Sequence, residues 1–251
     1  MSKIKSAKIR LDLRVQALAP ELSRTQIASL IMQGKVLVAG EPVTKAGALV
    51  SAESELRLNF EQPKYVGRAG FKLERALQDF NLDVTDYVVM DAGLSTGGFT
   101  DCLLQNGVAK VYGVDVGYGQ VHEKIRQDAR VHVMEKVNLR HLESLPELVD
   151  LVTLDLSFIS VLKVMEAVVR LLKPQGKLII LIKPQFEAGK HQVGPGGIIT
   201  DPAIHQQVIT EVTTGVEAAG FKFQKIVPSP IRGGDGNQEF LAYFISTTST
   251  S

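Results

Sequence analysis

The chain has 251 residues, 45% of them hydrophobic, and a formal net charge of +1, which suits one large globular domain or a medium domain with a smaller one. It contains no run of about 18 apolar residues and no apolar segment after its basic N-terminus, so we expect neither a transmembrane helix nor a secretory signal. Cys102 is the single cysteine, which excludes an internal disulfide framework and a cysteine-based metal site. A cytoplasmic protein that requires no metal is therefore expected.

The small net charge conceals an uneven distribution of charge along the chain. Residues 1–72 contain 12 Lys and Arg against 6 Asp and Glu, whereas residues 73–251 contain 16 against 21. A basic leader on a mildly acidic body indicates a polyanionic partner for the leader. A solvated basic surface without a partner is the alternative, and charge alone does not separate the two.

The N-terminal part of the chain is predicted to form a small module of helices and short strands. A helix is expected over Arg24–Gln33, because Ser23 and Gln26 have the spacing of a capping box at its start. Residues 36–43 have the pattern of a short hairpin, and residues 55–60 alternate as a half-buried strand does.

A polar segment over residues 61–66 is predicted to link the module, residues 1–60, to a larger domain over residues 67–251. In that domain apolar runs alternate with helical segments, which is typical of an α/β fold with a doubly wound, mostly parallel sheet. The predicted helices cover residues 68–80, 100–105, 161–172 and 203–219, and the predicted strands cover residues 87–90, 111–114, 131–134, 151–154, 178–182, 223–227 and 240–245.

A glycine-rich turn follows the first strand of the larger domain. Residues 91–101 read Asp-Ala-Gly-Leu-Ser-Thr-Gly-Gly-Phe-Thr-Asp, and their glycine spacing differs from that of the dinucleotide fingerprint. Asp91 would repel a pyrophosphate but suits a positively charged ligand such as S-adenosylmethionine, and Asp115 after the next strand could accept two ribose hydroxyls. A tight turn without a ligand is the alternative, which the second acid disfavours. The predicted donor-binding residues are Asp91, Gly93, Ser95, Thr96, Gly97, Gly98 and Asp115.

Polar residues follow four of the predicted parallel strands. They are Asp91, Asp115, Asp155 and Lys183. Because ligands of doubly wound sheets bind outside the carboxyl ends of the strands, we expect these four side chains to converge on one crevice.

The residues at this crevice narrow the type of methyl acceptor. The segment Asp155–Phe158 lacks the acid or amide followed by two prolines that is common in methylation of base amines. Cys102 falls in a predicted helix, where a buried structural role is favoured over that of a nucleophile. Oxygen methylation remains, and Lys183 is the first candidate for its base, because a neutral amine can take a hydroxyl proton. A lysine that only caps a buried strand is the alternative.

The N-terminal module resembles a known RNA-binding domain. Its segments Arg10–Asp12, Leu30–Val38 and Gly40–Val43 are similar to those of the module named after the fourth small-subunit ribosomal protein, and the similarity covers most of residues 8–58. The resemblance implies paired helices that present basic residues to the phosphates of folded RNA. The implied RNA-binding residues are Arg14, Arg24, Lys35 and Lys45, to which we add Arg68 ahead of the next helix.

The larger domain resembles the TlyA family through three separated motifs in the same order. They are residues 91–101, Ile182–Gly189 with the sequence Ile-Lys-Pro-Gln-Phe-Glu-Ala-Gly, and Gly236–Phe240 with the sequence Gly-Asn-Gln-Glu-Phe. Members of this family were labelled hemolysins and act as ribosomal RNA ribose 2′-O-methyltransferases, with a catalytic domain of the FtsJ type. The resemblance implies a Rossmann-like methyltransferase fold, S-adenosylmethionine as cofactor, ribosomal RNA or ribosomal subunits as partner, and cytidine as the modified nucleotide.

The same resemblance implies a catalytic tetrad of Lys-Asp-Lys-Glu. It falls on Lys72, Asp155, Lys183 and Glu239. In this assignment Lys183 is the base, Asp155 and Glu239 adjust it, and Lys72 helps to place the ribose. Asn138 matches the position that lies beside the adenine of the donor. Periodicity alone selects neither Lys72 nor Glu239.

The chain departs from the family pattern at four positions. The family usually has serine where this chain has Gly67 and glycine where it has Ala69, and it usually has basic residues where this chain has Pro195 and Thr200. The absence of these two basic residues beside the crevice affects the expected binding of the substrate, whereas the tetrad is intact.

Two other functions are compatible with parts of the pattern. A membrane-lytic protein, as the hemolysin label suggests, would need a spanning helix or a helix with a wide apolar face, and neither is predicted. A catalytically silent factor that only binds ribosomal RNA would not need the intact tetrad and donor turn.

Overall fold

The structure is a computed structural model that describes residues 7–20, 22–60 and 63–248. The chain divides into two compact units, Met1–Pro63 and Lys64–Ser251. Residues 61 and 62 of the predicted linker lie outside the described residues. Its last residues belong to the second unit, because Tyr65 is 3% exposed and packs in the core of that unit.

Within residues 7–20 and 22–60, the first unit has two helices and five short strands. These are β1 (Lys8–Arg10), α1 (Leu11–Leu18), α2 (Arg24–Met32), β2 (Val36–Val38), β3 (Glu41–Pro42), β4 (Leu49–Ser51) and β5 (Leu56–Leu58). Strands β1 and β4 pair antiparallel, and β2 lies between β3 and β5 in an antiparallel sheet. Leu11, Val15, Ile27 and Ile31 of the two helices are buried together and form the centre of the core.

The predicted start of α2 is confirmed. Ser23 Oγ accepts a hydrogen bond from Gln26 N at 3.3 Å, and Gln26 Oε1 accepts one from Ser23 N at 2.8 Å. This reciprocal pair satisfies two backbone donors that a helix N-terminus leaves without an intrahelical partner. The helix ends at Met32, and Gly34 follows with a φ of +69°.

In its described part, residues 64–248, the second unit has a seven-stranded sheet with helices on both faces. Its elements are α3 (Ala69–Asp79), β6 (Val88–Ala92), α4 (Gly98–Gln105), β7 (Lys110–Val114), α5 (Glu123–Arg126), β8 (Val131–Met134), β9 (Val149–Leu154), α6 (Met165–Leu171), β10 (Leu172–Ile182), α7 (Pro184–Glu187), α8 (Pro202–Ala218), β11 (Phe221–Pro228) and β12 (Phe240–Ser246). Short 3₁₀ helices cover Leu139–His141, Val161–Val164, Lys190–Gln192 and Pro195–Gly197.

The strand order confirms the doubly wound, mostly parallel sheet. The order is β11-β12-β10-β9-β6-β7-β8, in which β12 runs antiparallel to both of its neighbours and the remaining pairs are parallel. From β6 the chain builds outward through β7 and β8, and then returns to place β9 on the other side of β6. The direction of winding therefore reverses between β6 and β9, which is where doubly wound sheets form their ligand crevice.

Both faces of the sheet are packed, which explains the continuous apolar runs of the strands. Leu178 and Ile180 of β10 face one cluster of buried side chains, to which α6 and α8 contribute Val168 and Val212. Ile179 belongs to the opposite cluster, in which α3 and α4 contribute Leu73 and Leu103. None of the helices in the described ranges is long and apolar enough to cross a lipid bilayer.

Candidate active site

A close approach of two strand ends explains the first glycine of the glycine-rich turn. Gly93 has a φ of +87°, and its N–H donates to Val114 O at 2.9 Å. A Cβ atom at this position would lie 2.2 Å from Asp155 O, the carbonyl oxygen of the residue after β9. Glycine is thus required both by the backbone conformation and by the contact. The ends of β6, β7 and β9 are held together at this point.

A cavity of about 440 Å³ opens at the carboxyl ends of these three strands. Of the predicted donor-binding residues, Gly93, Ser95, Asp115 and Asn138 line it, together with Asp155 of the implied tetrad. The predicted crevice therefore exists at the point where the winding of the sheet reverses.

Thr96, Gly97 and Gly98 are not among the lining residues, and the two glycines serve the packing of the turn. A Cβ atom on Gly97 would lie 2.8 Å from the side chain of Ile125, and one on Gly98 would lie 3.0 Å from the backbone N of Gly70 in α3. Gly98 thus permits close contact between α3 and α4. The two glycines therefore set the packing of the turn next to the cavity.

Asp115 is positioned by two backbone donors. Its Oδ2 accepts from Ser95 N at 2.7 Å, and its Oδ1 accepts from Gly117 N at 2.6 Å. A carboxylate has about four acceptor sites, so two remain for hydroxyl donors. The arrangement fits a carboxylate that binds a pair of ribose hydroxyls from the wall of the cavity.

The structure corrects the predicted role of Asp91 as a donor-binding residue. Its side chain is fully buried and does not line the cavity. The Thr100 hydroxyl donates to Asp91 Oδ2 at 2.6 Å and the Thr153 hydroxyl donates to Oδ1 at 2.8 Å. Burial raises the pKa of Asp91 to about 6, against the two threonine hydrogen bonds, which lower it. Asp91 thus joins α4 and β9 to β6 beneath the cavity, and its side chain is not part of the cavity wall.

The raised pKa of Asp91 predicts a specific dependence of stability on pH. Between about pH 4 and pH 6 the folded chain keeps the Asp91 proton that the unfolded chain releases, so this group stabilises the fold at low pH and the contribution is lost as the pH rises through 6. Between these pH values the free energy of unfolding of the wild type should fall by about 3 kcal/mol because of this group, and Asp91→Asn should lack that fall. Denaturant unfolding of both proteins at several pH values measures it, and parallel curves would contradict the assignment.

Cys102 is also explained by its surroundings. It is fully buried in α4, and burial raises the pKa of its thiol to about 12. The thiol therefore stays protonated near neutral pH and is not an activated nucleophile.

Lys183 and Asp155 form an ion pair at the edge of the cavity. Lys183 directly follows β10, and its Nζ lies 2.7 Å from Asp155 Oδ1 at the end of the adjacent strand β9. The same Nζ donates to Ser157 Oγ at 2.9 Å. Both ions of the pair are partly exposed, so a substrate in the crevice can reach the amine. Ser157 was not selected from the sequence, because a serine between Leu156 and Phe158 carries no distinctive pattern.

Lys72 and Glu239 form a second ion pair, which is buried. The Nζ of Lys72 in α3 donates to Glu239 Oε2, and the two residues are 7% and 2% exposed. The resemblance implied that Glu239 adjusts Lys183, whereas the structure pairs it with Lys72. The backbone still keeps the two pairs at one edge of the sheet. Ile182 and Phe240 are partners in the antiparallel register of β10 and β12, so Lys183 and Glu239 come next to each other at the strand ends.

Asn237 is a further residue of this region that sequence reasoning did not select. It is fully buried, its Oδ1 accepts from Ile199 N at 2.9 Å, and its Nδ2 donates to Gly197 O at 2.9 Å. It therefore fastens the loop before α8 to the segment that carries Glu239. Gly233 lies against the same carboxylate, since a Cβ there would be 2.5 Å from Glu239 Oε1.

The first unit presents most of the implied RNA-binding residues to solvent. Arg24, Lys35 and Lys45 are exposed there, and Arg68 is exposed at the start of α3 in the second unit. Arg14 is the exception, because its guanidinium is half-buried and donates to the carbonyl oxygens of residues 51 and 54 at 2.5 and 2.9 Å. Its predicted role as a phosphate contact is replaced by a structural one, which joins α1 to β4 and the turn that follows it.

Comparison with known proteins identifies the family. Residues 65–245 match the model of the FtsJ-like methyltransferases, and residues 9–56 match the S4 domain. A protein of Mycobacterium tuberculosis (strain ATCC 25618 / H37Rv), named 16S/23S rRNA (cytidine-2′-O)-methyltransferase TlyA, is 40% identical over 229 residues, which are 90% of this chain and 85% of that protein. The chain belongs to the TlyA family.

Two further relatives are similar to this TlyA-family chain over almost its whole length. Hemolysin A of Brachyspira hyodysenteriae is 37% identical over 240 residues, which are 94% of this chain and 100% of the relative. A solved structure from Streptococcus thermophilus, which carries a provisional hemolysin name, is 41% identical with a TM-score of 0.74 and covers 96% of this chain and 90% of its own. The TlyA-family chain is accordingly a methyltransferase with an S4 domain.

Proposed function

We propose that the chain transfers a methyl group from S-adenosylmethionine to a ribose 2′-hydroxyl of ribosomal RNA, and that the modified nucleotide is a cytidine. The observation that carries the proposal is the Lys183–Asp155 pair, which stands beside the cavity that Asp115 lines. An amine beside a methyl-donor site fits a weakly acidic hydroxyl as acceptor. The name of the Mycobacterium relative supports the ribosomal substrate and the cytidine.

The cavity residues fit the methyl donor. Asp115 offers unused acceptor sites to a ribose, and Asn138 lines the same cavity with an amide side chain. Val116 and Leu139 add apolar wall on which an adenine can pack. When bound, S-adenosylmethionine supplies a methyl group on a sulfonium, which departs as a neutral thioether and needs no acid.

Lys183 then acts on the acceptor hydroxyl. After Nζ has released one proton to solvent, it takes the 2′-hydroxyl proton as that oxygen accepts the methyl group. The bound donor would supply the methyl carbon, and its sulfur would keep the bonding electron pair, so charge and atoms balance without a further reactant. Asp155, 2.7 Å from Nζ, stabilises the ammonium ion that forms on Lys183.

Lys72 and Glu239 complete the edge of the site. Their charges compensate each other and both side chains are buried, so the pair is a rigid part of the site with a fixed dipole. In the proposed reaction Lys72 places the ribose, and Glu239 holds Lys72 in position.

Mapping of ribose methylation tests the proposed function. Ribosomal RNA from cells with the gene, without it, and with a Lys183→Arg copy should differ at a defined cytidine, which is methylated only in the first. If the three RNAs have identical methylation maps, ribosomal RNA is not the substrate.

Removal of the Asp115 carboxylate should weaken donor binding. Calorimetry with S-adenosylhomocysteine is expected to give at least about tenfold lower affinity for Asp115→Ala, because two hydroxyl hydrogen bonds to a charged acceptor are removed. Asp128→Ala is the matched control, since Asp128 pairs with Arg130 and does not line the cavity. Equal affinity of Asp115→Ala and wild type would remove Asp115 from the donor site.

The S4 unit should bind phosphates of the RNA. In a variant with Arg24→Ala and Lys35→Ala, the slope of log affinity for RNA against log salt should decrease by about 0.9 for each phosphate that the variant no longer neutralises. Arg57→Ala serves as control, because Arg57 is exposed in the same unit but pairs with Glu55. An unchanged slope in the double variant would mean that these residues are solvated surface.

A further inference from the structure

Ser157 touches the amine to which the proposed function assigns the proton. It lies two residues after Asp155, is exposed, and lines the cavity. Its Oγ accepts from Lys183 Nζ at 2.9 Å, while Asp155 Oδ1 lies 2.7 Å from the same nitrogen. Lys183 therefore has two acceptors on one side of the crevice.

Two acceptors determine the direction of the amine's lone pair, whereas one does not. The nitrogen of a neutral amine is tetrahedral, with one bond to carbon, two N–H bonds and a lone pair. If Asp155 alone accepts an N–H, the lone pair can take either of the two remaining directions by rotation about the bond between Cε and Nζ. When Ser157 accepts the second N–H, a single direction is left for the lone pair.

The position of Ser157 relative to Lys183 is enforced by the surrounding chain. Phe158 directly follows Ser157 with a φ of +65°, and its ring lies 5.0 Å from that of Phe186 in α7, three residues after Lys183. Glu187 of the same helix accepts a hydrogen bond from Val161 N at 2.8 Å. Two contacts thus fasten the loop after β9 to the helix after β10, and in both segments they follow the Ser157–Lys183 hydrogen bond along the chain.

We propose that Ser157 is a positioning residue that directs the lone pair of Lys183 toward the acceptor hydroxyl. The proposal rests on the proposed function, in which Lys183 takes the 2′-hydroxyl proton. Ser157 itself exchanges no proton with the substrate and acts through Lys183. A serine that merely lines the cavity would contribute nothing to the chemical step.

Single-turnover methylation of ribosomal subunits at saturating donor tests the role of Ser157. Ser157→Ala removes an exposed hydroxyl and leaves no buried cavity, so the variant should fold and bind donor and RNA as the wild type does. The rate of methyl transfer should fall by about 10- to 100-fold, a part of what general base catalysis supplies. Ser157→Thr keeps a hydroxyl at this position and should recover most of the rate.

A double-mutant cycle separates positioning from structural support. If Ser157 acts through Lys183, Ser157→Ala should change the residual rate less than about twofold in a Lys183→Met background, since additive effects indicate independent sites. Thr210→Ala is the matched control, because it removes an exposed hydroxyl that donates to Gln206 O at 2.9 Å within α8. It should leave the rate near that of the wild type.

A measurement without donor or RNA provides an independent result. In protein with ¹⁵N-labelled lysines, the two hydrogen bonds should slow exchange of the Lys183 Nζ protons and give a signal that Lys183→Met removes. Ser157→Ala should broaden that signal, and an unaltered signal would overturn the proposal.

The outcomes distinguish the two proposals. Wild-type protein that methylates no ribose overturns the proposed function. If the wild-type protein methylates ribose, two results would overturn only the positioning role of Ser157. In the first, Ser157→Ala methylates at the wild-type rate. In the second, Ser157→Ala lowers the rate by the same factor in the Lys183→Met background as in the wild type.

Discussion

Lys183→Arg is expected to leave a folded protein that transfers methyl groups at least about 10²-fold more slowly than the wild type. Arginine keeps the positive charge beside Asp155, so the ion pair and the strand ends can persist. Its guanidinium does not deprotonate at usable pH and cannot take the 2′-hydroxyl proton. The loss should therefore appear in the rate of the chemical step, with the affinities for donor and RNA close to those of the wild type.

Single-turnover methylation of ribosomal subunits, with separate binding measurements, distinguishes this result from a loss of binding. Lys163→Arg is the matched control, because Lys163 is exposed in the 3₁₀ helix that follows the same strand as Asp155. It should be indistinguishable from the wild type. A Lys183→Arg protein that methylates at the rate of the wild type would exclude Lys183 as the base and leave positioning alone to explain catalysis.

The location of the site could be predicted from the sequence because it depends on local patterns. An apolar run that ends on a polar residue marks the carboxyl end of a buried strand, and parallel strands bring such ends together. Asp115 and Asp155 line the cavity for this reason, and Lys183 pairs with Asp155 beside it. Gly93 could likewise be predicted, since the turn between strand and helix requires close approach of the backbone.

The partners of individual side chains could not be predicted, because they come from distant parts of the chain. Asp91 has the same position in the pattern as Asp115, yet hydroxyls from Thr100 and Thr153 occupy both of its oxygens beneath the cavity. Arg14 has the sequence position of an exposed cation on a short helix, but carbonyl groups about 40 residues away accept its donors. No periodicity contains this information.

Element types were predicted more accurately than element boundaries. The strand over residues 131–134 has the predicted bounds, whereas β10 begins at Leu172, six residues before the predicted start at residue 178. The predicted helix over residues 161–172 is shorter, because its first turn is a 3₁₀ helix and its last residue begins β10. The short helices α5 and α7, of four residues each, have too few residues to show a period.

Separation of the buried pair Lys72–Glu239 should have the largest effect on stability. Lys72→Met leaves the Glu239 carboxylate, which is 2% exposed, without its ion-pair partner. Removal of one partner of a buried pair typically lowers the free energy of unfolding by about 3–5 kcal/mol, because the remaining charge is neither hydrated nor compensated. The double variant Lys72→Met with Glu239→Gln replaces both charges by neutral groups of similar shape. It should lower the free energy of unfolding much less, since no unpaired charge remains.

Denaturant unfolding followed by circular dichroism measures these differences. Arg75→Ala provides the control, because Arg75 and Asp79 form an exposed ion pair on the same helix, and such a pair contributes at most about 1 kcal/mol. If Lys72→Met lowers the free energy of unfolding no more than Arg75→Ala does, the Lys72–Glu239 pair is hydrated and is not a buried part of the site. The double variant then tests the chemistry separately. A protein with near wild-type stability that methylates RNA poorly would assign the charges of Lys72 and Glu239 to placing the ribose, because their structural contribution would already have been restored.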